Sequence, residues 1–422
     1  MSTHQPRIAI IGGGPAGLTV GILLHKHQIP FTIFEYRAKP TDDELASPVG
    51  MLDLHEESGL AALKECDLLE EFKSHTTVCS EAQIIANKEG NIIYTDDGGP
   101  EHRPEISRNS LTKLLLDQLP VDSVQWEHKL SSASYLAEGS HNVEIELNFG
   151  HLGKRTFDFV VGADGTWSRV RTLLTSAKPA YAGFQYMMLA IRQATERYPA
   201  LSDYVGTGGF TSLGNRRGIM CQRALQDSAL MYAFLSTDNE NFGEDSGLVK
   251  GTPAEAKERL LNDDELFGQF GPKLKELLQT ACEEETKTMP DAKLLLRSLY
   301  TLPPGHSWEH KKGVTLVGDA SHVMLPFAGE GVNVAMWDAL DVSRAIIKAY
   351  ENSPTNFTTF QTTLDPLIKE FEVNMAARAK EKAEEASNNA KLMLGGEDGA
   401  TAMAEWMRAA MQQAQASRPS DE

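Results

Sequence analysis

Apolar residues along the chain fall into two kinds of pattern. Short continuous runs end abruptly at glycine or an acid in three places: "RIAII" before Gly12, "FDFVV" before Gly162–Asp164, and "GVTLV" before Gly318–Asp319. Continuous runs of this length fit strands buried on both faces, as in a parallel sheet. The first is followed by a helical stretch over 15–27 and a second strand, "PFTIFE". Elsewhere the pattern alternates. "QYMMLAIRQA" (185–194) and "RGIMCQRALQDSALMYAFLST" (217–237) read as antiparallel strands with "QDS" at a hairpin. Residues 253–287 and 337–350 read as helices. The stretch 365–394 is helical by composition, "LGGEDG" (394–399) breaks it, and a last helix follows with Met403, Trp406, Met407 and Met411 at helical spacing.

The first turn carries Gly12, Gly14 and Gly17 in a G-x-G-x-x-G arrangement between strand and helix. Gly12 permits the tight turn, Gly14 lets backbone approach a pyrophosphate, and Gly17 lets helix pack on strand. The helix start, at Pro15 and Ala16, offers free N–H groups and a positive dipole end to phosphates. Glu35, at the end of the second strand and followed by Tyr36 and Arg37, is placed to accept hydrogen bonds from a ribose. This is a dinucleotide fingerprint, equally compatible with FAD or NAD.

The other strand ends separate the two. Asp164–Gly165 and Gly318–Asp319 reach the same carboxyl edge of the expected sheet, where α/β ligands bind. A buried acid at a strand end needs donors, and a polyol chain supplies them. "FAGEGVN" (327–333) opens a helix whose N–H groups would face a ligand atom gaining negative charge. The ribityl chain and pyrimidine edge of a flavin meet both demands.

Composition narrows the partners. A chain of 422 residues is long enough for one large or two coupled domains. Its formal charge of −19 argues against nucleic acid and against an anionic membrane surface. Cys66, Cys79, Cys221 and Cys282 form no CxxC pair and no zinc spacing, so reduced thiols and no metal are expected. There is no signal peptide or apolar run of about 18 residues, which points to a cytoplasmic protein, expected to be a monomer.

The blocks "IAIIGGGPAGLTVGILL", "GMLDLHEESGLAALKE", "PEISRNSLTKLLLDQL" and "TLVGDASHVMLPFAGEGVN", with the shorter "VVGADGTWSRVR", resemble the single-component FAD-dependent aromatic monooxygenases of the para-hydroxybenzoate hydroxylase class. Within that class the chain is most similar to the tetracycline-inactivating monooxygenases and their fungal relatives. The resemblance covers residues 7–174 and about 314–345. It implies that Glu35 binds the adenosine ribose and that Arg108 contacts the flavin. Asp164 then belongs to the Asp-Gly turn associated with FAD and NAD(P)H. Asp319 binds the ribityl and pyrophosphate region, Pro326, Ala328, Gly329, Gly331 and Val332 line the ring, and 49–55 is the loop over which the flavin swings. The candidate cofactor contacts are therefore Gly12, Gly14, Pro15, Ala16, Gly17, Glu35, Tyr36, Arg37, Leu52, Asp53, Arg108, Asp164, Gly318, Asp319, Pro326, Ala328, Gly329, Gly331 and Val332. One departure stands out: where relatives often carry an arginine before the loop's glycine, this chain has Ala46 and Ser47, which touches nicotinamide recognition and not FAD.

The implied fold is α/β: a Rossmann-like FAD-binding domain in two parts (1–177 and 301–380), an inserted antiparallel-sheet substrate domain (178–300) and a C-terminal helix (381–422). The implied chemistry is reduction of FAD by NAD(P)H, addition of dioxygen at flavin C4a, and transfer of one oxygen to an aromatic or polycyclic small molecule, tetracycline-like or a fungal secondary metabolite. Hydroxylation and Baeyer–Villiger oxygenation both remain open. No side chain need act as acid, base or nucleophile, because the cofactor carries the difficult step; His322 reads as structural. The protein must hold substrate and exclude water. Met187, Leu189, Cys221, Met231 and Phe234 are candidates to face the substrate, with Pro326, Phe327 and Gly329 opposite, although period-2 alternation does not say which face is which. Other readings are a reductase without oxygen transfer, a halogenase, whose Trp-x-Trp-x-Ile-Pro stretch is missing, and a flavin-binding protein without turnover.

Overall fold

The computed structural model describes residues 4–47, 49–76, 81–98, 105–136, 143–352 and 355–416. A five-stranded parallel sheet runs in the order Val314–Leu316, Phe159–Gly162, Ile8–Ile11, Phe31–Phe34, Val124–Gln125. Three adjacent strands at one side of this sheet are the apolar runs of the sequence pattern, and Ile8–Ile11, Phe159–Gly162 and Val314–Leu316 are buried along their whole length. The helices Pro15–Lys26 and Gly331–Glu351 lie together on one face, in a core with Leu18, Leu23, Met336 and Leu340. The other face is covered by Ile145, Leu147 and Phe157 of a small antiparallel sheet and by Phe149 just beyond its middle strand, Ile145–Asn148. Gly331–Glu351 begins six residues before the expected 337, at the end of the glycine turn itself.

A seven-stranded sheet stands beside this unit. Its order is Arg297–Thr301, Ala180–Ile191, Ser228–Ser236, Arg217–Ala224, Gly209–Gly214, Gln83–Asn87, Ile92–Asp96. The expected hairpin is present: Arg217–Ala224 pairs antiparallel with Ser228–Ser236, and Gln226 and Asp227 take φ of 57° and 53° in the turn. Two strands, Gln83–Asn87 and Ile92–Asp96, come from within residues 1–177 and join through a parallel pairing with Gly209–Gly214. The helical stretch 253–287 is two helices, Pro253–Asn262 and Pro272–Thr288. Between them Leu266, Phe267 and Phe270 turn into the core beneath the sheet.

The long helix Phe357–Leu394 starts earlier than its composition suggests, because Asn356 accepts a hydrogen bond from the Thr359 N–H and caps it. It runs past both sheets. Gln361 donates to the Val143 and Asp158 carbonyls, Thr315 donates to Glu372, and Ala386, Ala390, Met393 and Leu394 pack on the seven-stranded sheet. The final helix, Gly399–Ala416, seats Ala400, Met403, Ala404 and Met407 on that same sheet. Trp406, expected on the packing stripe, points outward and is half exposed. Its neighbours at i−3 and i−2 are small or flexible enough to take the buried face without it. No helix among the described residues is long and apolar enough to cross a membrane. Cys66, Cys221 and Cys282 are buried free thiols, with burial pushing each up to about 12; Cys79 lies outside the described residues.

Candidate functional site: a glycine-lined groove and an aromatic wall

The carboxyl ends of three adjacent parallel strands form the floor of the site. At the first, Gly12 takes φ of 112°, and a Cβ there would stand 2.1 Å from the Ala163 carbonyl oxygen. A Cβ on Gly17 would stand 2.0 Å from the Gly12 carbonyl oxygen. These two glycines are required by packing. Gly14 is different: nothing lies within 4 Å of its Cβ position, and it begins the helix Pro15–Lys26 with no side-chain cap. Pro15 has no N–H to offer, and the Ala16 and Gly17 N–H groups, as first-turn donors, have no partner within the helix. Glu35 is buried and draws the edge of the turn together. Its carboxylate accepts from the Gly13 N–H at 2.6 Å and from the Arg37 N–H at 2.9 Å, while Arg37 Nε donates to the exposed Tyr36 hydroxyl.

At the second strand end, Asp164 turns inward. It accepts from the Ser168 hydroxyl at 2.5 Å and from the Arg169 N–H at 2.7 Å. Burial raises its pKa, and these hydrogen bonds offset part of the rise. Asp164 thus shapes the 164–170 turn, and its carboxylate is spent on the protein. The buried Arg171 ties the turn to the third strand end, donating to the Thr166 and Ala320 carbonyls. Burial lowers its pKa against the opposing charges of Asp164 and Asp319.

At the third strand end the geometry differs from expectation. Asp319 is exposed, not buried, because Gly318 at φ 61° turns the chain out of the sheet just before it. It is the first residue of the short helix Asp319–His322, whose N-cap is Gly318, so it does not cap by its side chain. The Thr166 hydroxyl lies 3.5 Å from its carboxylate. His322 pairs instead with the buried Asp338 at 2.5 Å. Burial pushes the imidazole down and Asp338 more than reverses this, so its pKa is raised; the role is structural, as the sequence suggests.

The groove continues along the turn Pro326–Ala328 to Gly329, Gly331 and Val332. Nothing lies within 4 Å of a Cβ built at Gly329, Gly331 or Gly165. Its other wall is the strand Met51–Asp53, paired with Glu105–Ser107. Asn333, fully buried, holds this wall: it donates to the Asp53 carbonyl and accepts from the His55 N–H and the Ser58 hydroxyl. Leu52 and Asp53 are thereby tied to the first turn of the helix Gly331–Glu351. Arg108 starts the helix Arg108–Leu116, its N–H bonded to the Gly50 carbonyl, and its charge is felt by Tyr232.

The seven-stranded sheet has two unlike faces. Met187, Leu189, Cys221 and Met231 all point into the core beneath helices Pro253–Asn262 and Pro272–Thr288. As candidates to face a substrate, Met187, Leu189, Cys221 and Met231 are thereby corrected: they are on the wrong side of the pleat. Phe234 is on the face toward Phe327, their rings 5.1 Å apart. Its neighbours there are Tyr186, stacked at 5.5 Å, together with Tyr232, Met220 and Phe184. Asn389 of the long helix donates to the Phe327 carbonyl and ties the backbone of that turn to the helix.

Residues 6–211 and 306–369 match the FAD binding domain family. The monooxygenase asqM of Emericella nidulans is 33% identical over 416 residues, covering 90% of this chain and 93% of that protein. The chain belongs to the FAD-dependent monooxygenase family. Among solved structures, HpxO of Klebsiella pneumoniae complexed with FAD and uric acid superposes with a TM-score of 0.70 at 16% identity, covering 96% of this chain and 92% of that one. The tetracycline destructase Tet(51) does so at 0.57 and 20% identity, covering 92% and 96%. In a monooxygenase of this family the open backbone of Gly14, Gly165, Gly329 and Gly331 fits a flavin dinucleotide: each missing Cβ leaves room for a ligand atom, and none is needed for packing. Sequence patterns miss Glu330, Asn333, Tyr186, Met220 and Tyr232. Only Glu330, a charge set between two glycines, leaves any local signal.

Proposed function

We propose that this FAD-dependent monooxygenase oxygenates a flat aromatic or polycyclic small molecule held against Tyr186, Tyr232, Phe234 and Phe327. The observation that carries the reading is the open, glycine-lined groove ending at that aromatic face. Gly14 and the first turn of helix Pro15–Lys26 would hold the pyrophosphate, Glu35 the adenosine ribose, and Asp319 with Thr166 the ribityl hydroxyls. The turn from Pro326 to Val332, with Leu52, Asp53 and Arg108, would surround the ring. Bound FAD supplies reducing power taken from NAD(P)H and activates dioxygen, so that one oxygen atom enters the substrate and the other leaves as water.

The chain's own residues do the rest. Phe327 and Phe234 keep the site apolar and exclude water, and stacking orients a planar substrate. Tyr232 brings a hydroxyl to this wall. Burial first, then Tyr186, pushes its pKa up to about 12, against the Arg108 charge, so it remains a hydrogen-bond donor at neutral pH. With one dinucleotide turn, already used by FAD, NAD(P)H would bind transiently at the surface. In this reading residues 1–177 and 301–380 carry the cofactor, 178–300 the substrate side, and 381–422 close it, with the strands of 83–96 lent to the substrate side.

The test is direct. The purified protein is expected to be yellow and to release FAD, not FMN, on denaturation. A panel of aromatic polyketides, tetracyclines included, is then screened for substrate-stimulated NADPH oxidation, with mass spectrometry for a gain of one oxygen. NADPH oxidation that yields only hydrogen peroxide with every substrate would favour the reductase reading.

A further inference from the structure

Behind the Gly329–Gly331 turn lies a buried group of charges that the groove itself does not use. Glu330 is 7% exposed, although a residue between two open glycines would ordinarily point into water. Its carboxylate meets Lys382 Nζ of the long helix on one side and lies 3.4 Å from His55 Nδ1 on the other. His55 Nε2 stands 3.5 Å from the Asp53 carboxylate, and the His55 N–H is held by Asn333. Three segments distant in sequence, 51–55, 329–331 and the long helix, thus meet at one carboxylate. Burying it costs free energy that only matched partners recover.

We propose that Glu330 is a positioning residue for the flavin, drawing the 51–55 wall and the long helix onto the Gly329–Gly331 turn and so setting the width of the groove at its ring end. The proposal rests on FAD lying along that turn. Its geometry has a consequence for pH. His55 is faced by Asp53 from its own strand, by Glu330 from the turn, and through Glu330 by Lys382 and the nearby Glu385 of the long helix. Asp53 first, then Glu330, raises His55 from 6.5 to about 9. A raised histidine contributes stability that is fully present below 6.5 and lost as pH rises through about 9. The wall should loosen over that window.

The experiment compares holoprotein carrying Glu330→Gln, Glu330→Ala or Lys382→Met with wild type. FAD dissociation is followed by flavin fluorescence, the visible flavin spectrum is titrated upward from neutral pH, and melting is followed by circular dichroism. Wild type is expected to change its flavin spectrum with a midpoint near 9. Glu330→Gln should move that midpoint down, and Glu330→Ala should weaken FAD binding about tenfold, with the glutamine restoring part of it. If the alanine variant does not fold, the isosteric glutamine carries the test. Wild-type FAD affinity and an unmoved midpoint in the variants, even with a lowered melting temperature, would overturn the proposal while leaving the FAD reading intact. Wild-type protein that holds no FAD would overturn both.

Discussion

The two glycine turns of this protein serve the same kind of ligand in opposite states of completion. At residues 12–17 the protein has satisfied itself. Gly12 and Gly17 are filled against backbone, and the acid of the turn, Glu35, is buried on two N–H groups. At residues 318–331 the acid is exposed, with one hydroxyl at 3.5 Å, and Gly329 and Gly331 border empty space. The first turn is rigid scaffold with one open glycine, Gly14; the second is mostly surface awaiting a partner. The same residue types therefore carry different costs when changed, and the changes can be ordered.

Gly12→Ala should be the most damaging. It combines a positive φ with a collision against backbone that cannot move, worth at least about 3 kcal/mol. Urea unfolding of the apoprotein should show the loss; a wild-type midpoint would mean the turn is looser than it looks. Asp319→Ala comes next, and its effect should fall on the ligand alone: about 2–4 kcal/mol of FAD affinity if two hydrogen bonds to a charge are lost, with apoprotein stability unchanged. Asp319→Asn should cost less. A destabilised apoprotein would move Asp319 to the scaffold side of the comparison. Glu35→Ala should do what Asp319→Ala does not, lowering apoprotein stability by about 2 kcal/mol because the Gly13 and Arg37 N–H groups lose their acceptor. Equal melting temperatures for the two apoproteins would erase the distinction. The smallest effect, and of opposite sign, is expected for Gly331→Ala. With no Cβ clash and no positive φ, it should stabilise the apoprotein by about 0.5 kcal/mol yet weaken FAD binding. Titration and melting of this one variant separate the two uses of glycine.

Much of the scaffold is legible in the chain because it rests on local signals. Continuous apolar runs mark the parallel strands, and the spacing of Gly12, Gly14 and Gly17 marks the turn. What cannot be read is whatever depends on the sign of a pattern or on distant pairing. Alternation over 185–191 and 217–236 locates the strands, but Tyr186 and Met187 are adjacent, and only the helices 253–288 packed below decide which one faces the ligand. Asp319 follows an apolar run so closely that it reads as buried; one left-handed glycine puts it outside. The bonds of Asn333 to residues 53–58, and the pairing of Gln83–Asn87 with Gly209–Gly214, join segments that no local pattern connects.

The helix Phe357–Leu394 has 38 residues, about 57 Å at 1.5 Å per residue. Its contacts are strung along that length: Gln361, Glu372, Arg378, Lys382 and Asn389 reach in turn the Val143 and Asp158 carbonyls, the third parallel strand, Asp338, Glu330 and Phe327. A single inserted residue between Glu372 and Arg378 would rotate everything downstream by about 100° and release the last three anchors together. An insertion of a whole turn would restore the phase but shift the same anchors by about 5.4 Å along the axis, and the loop 395–398 beyond is itself tied down, its Gly396 and Glu397 carbonyls accepting from the Arg216 and Asn215 N–H groups. The strut works as a ruler whose graduations are fixed by both of the bodies it measures.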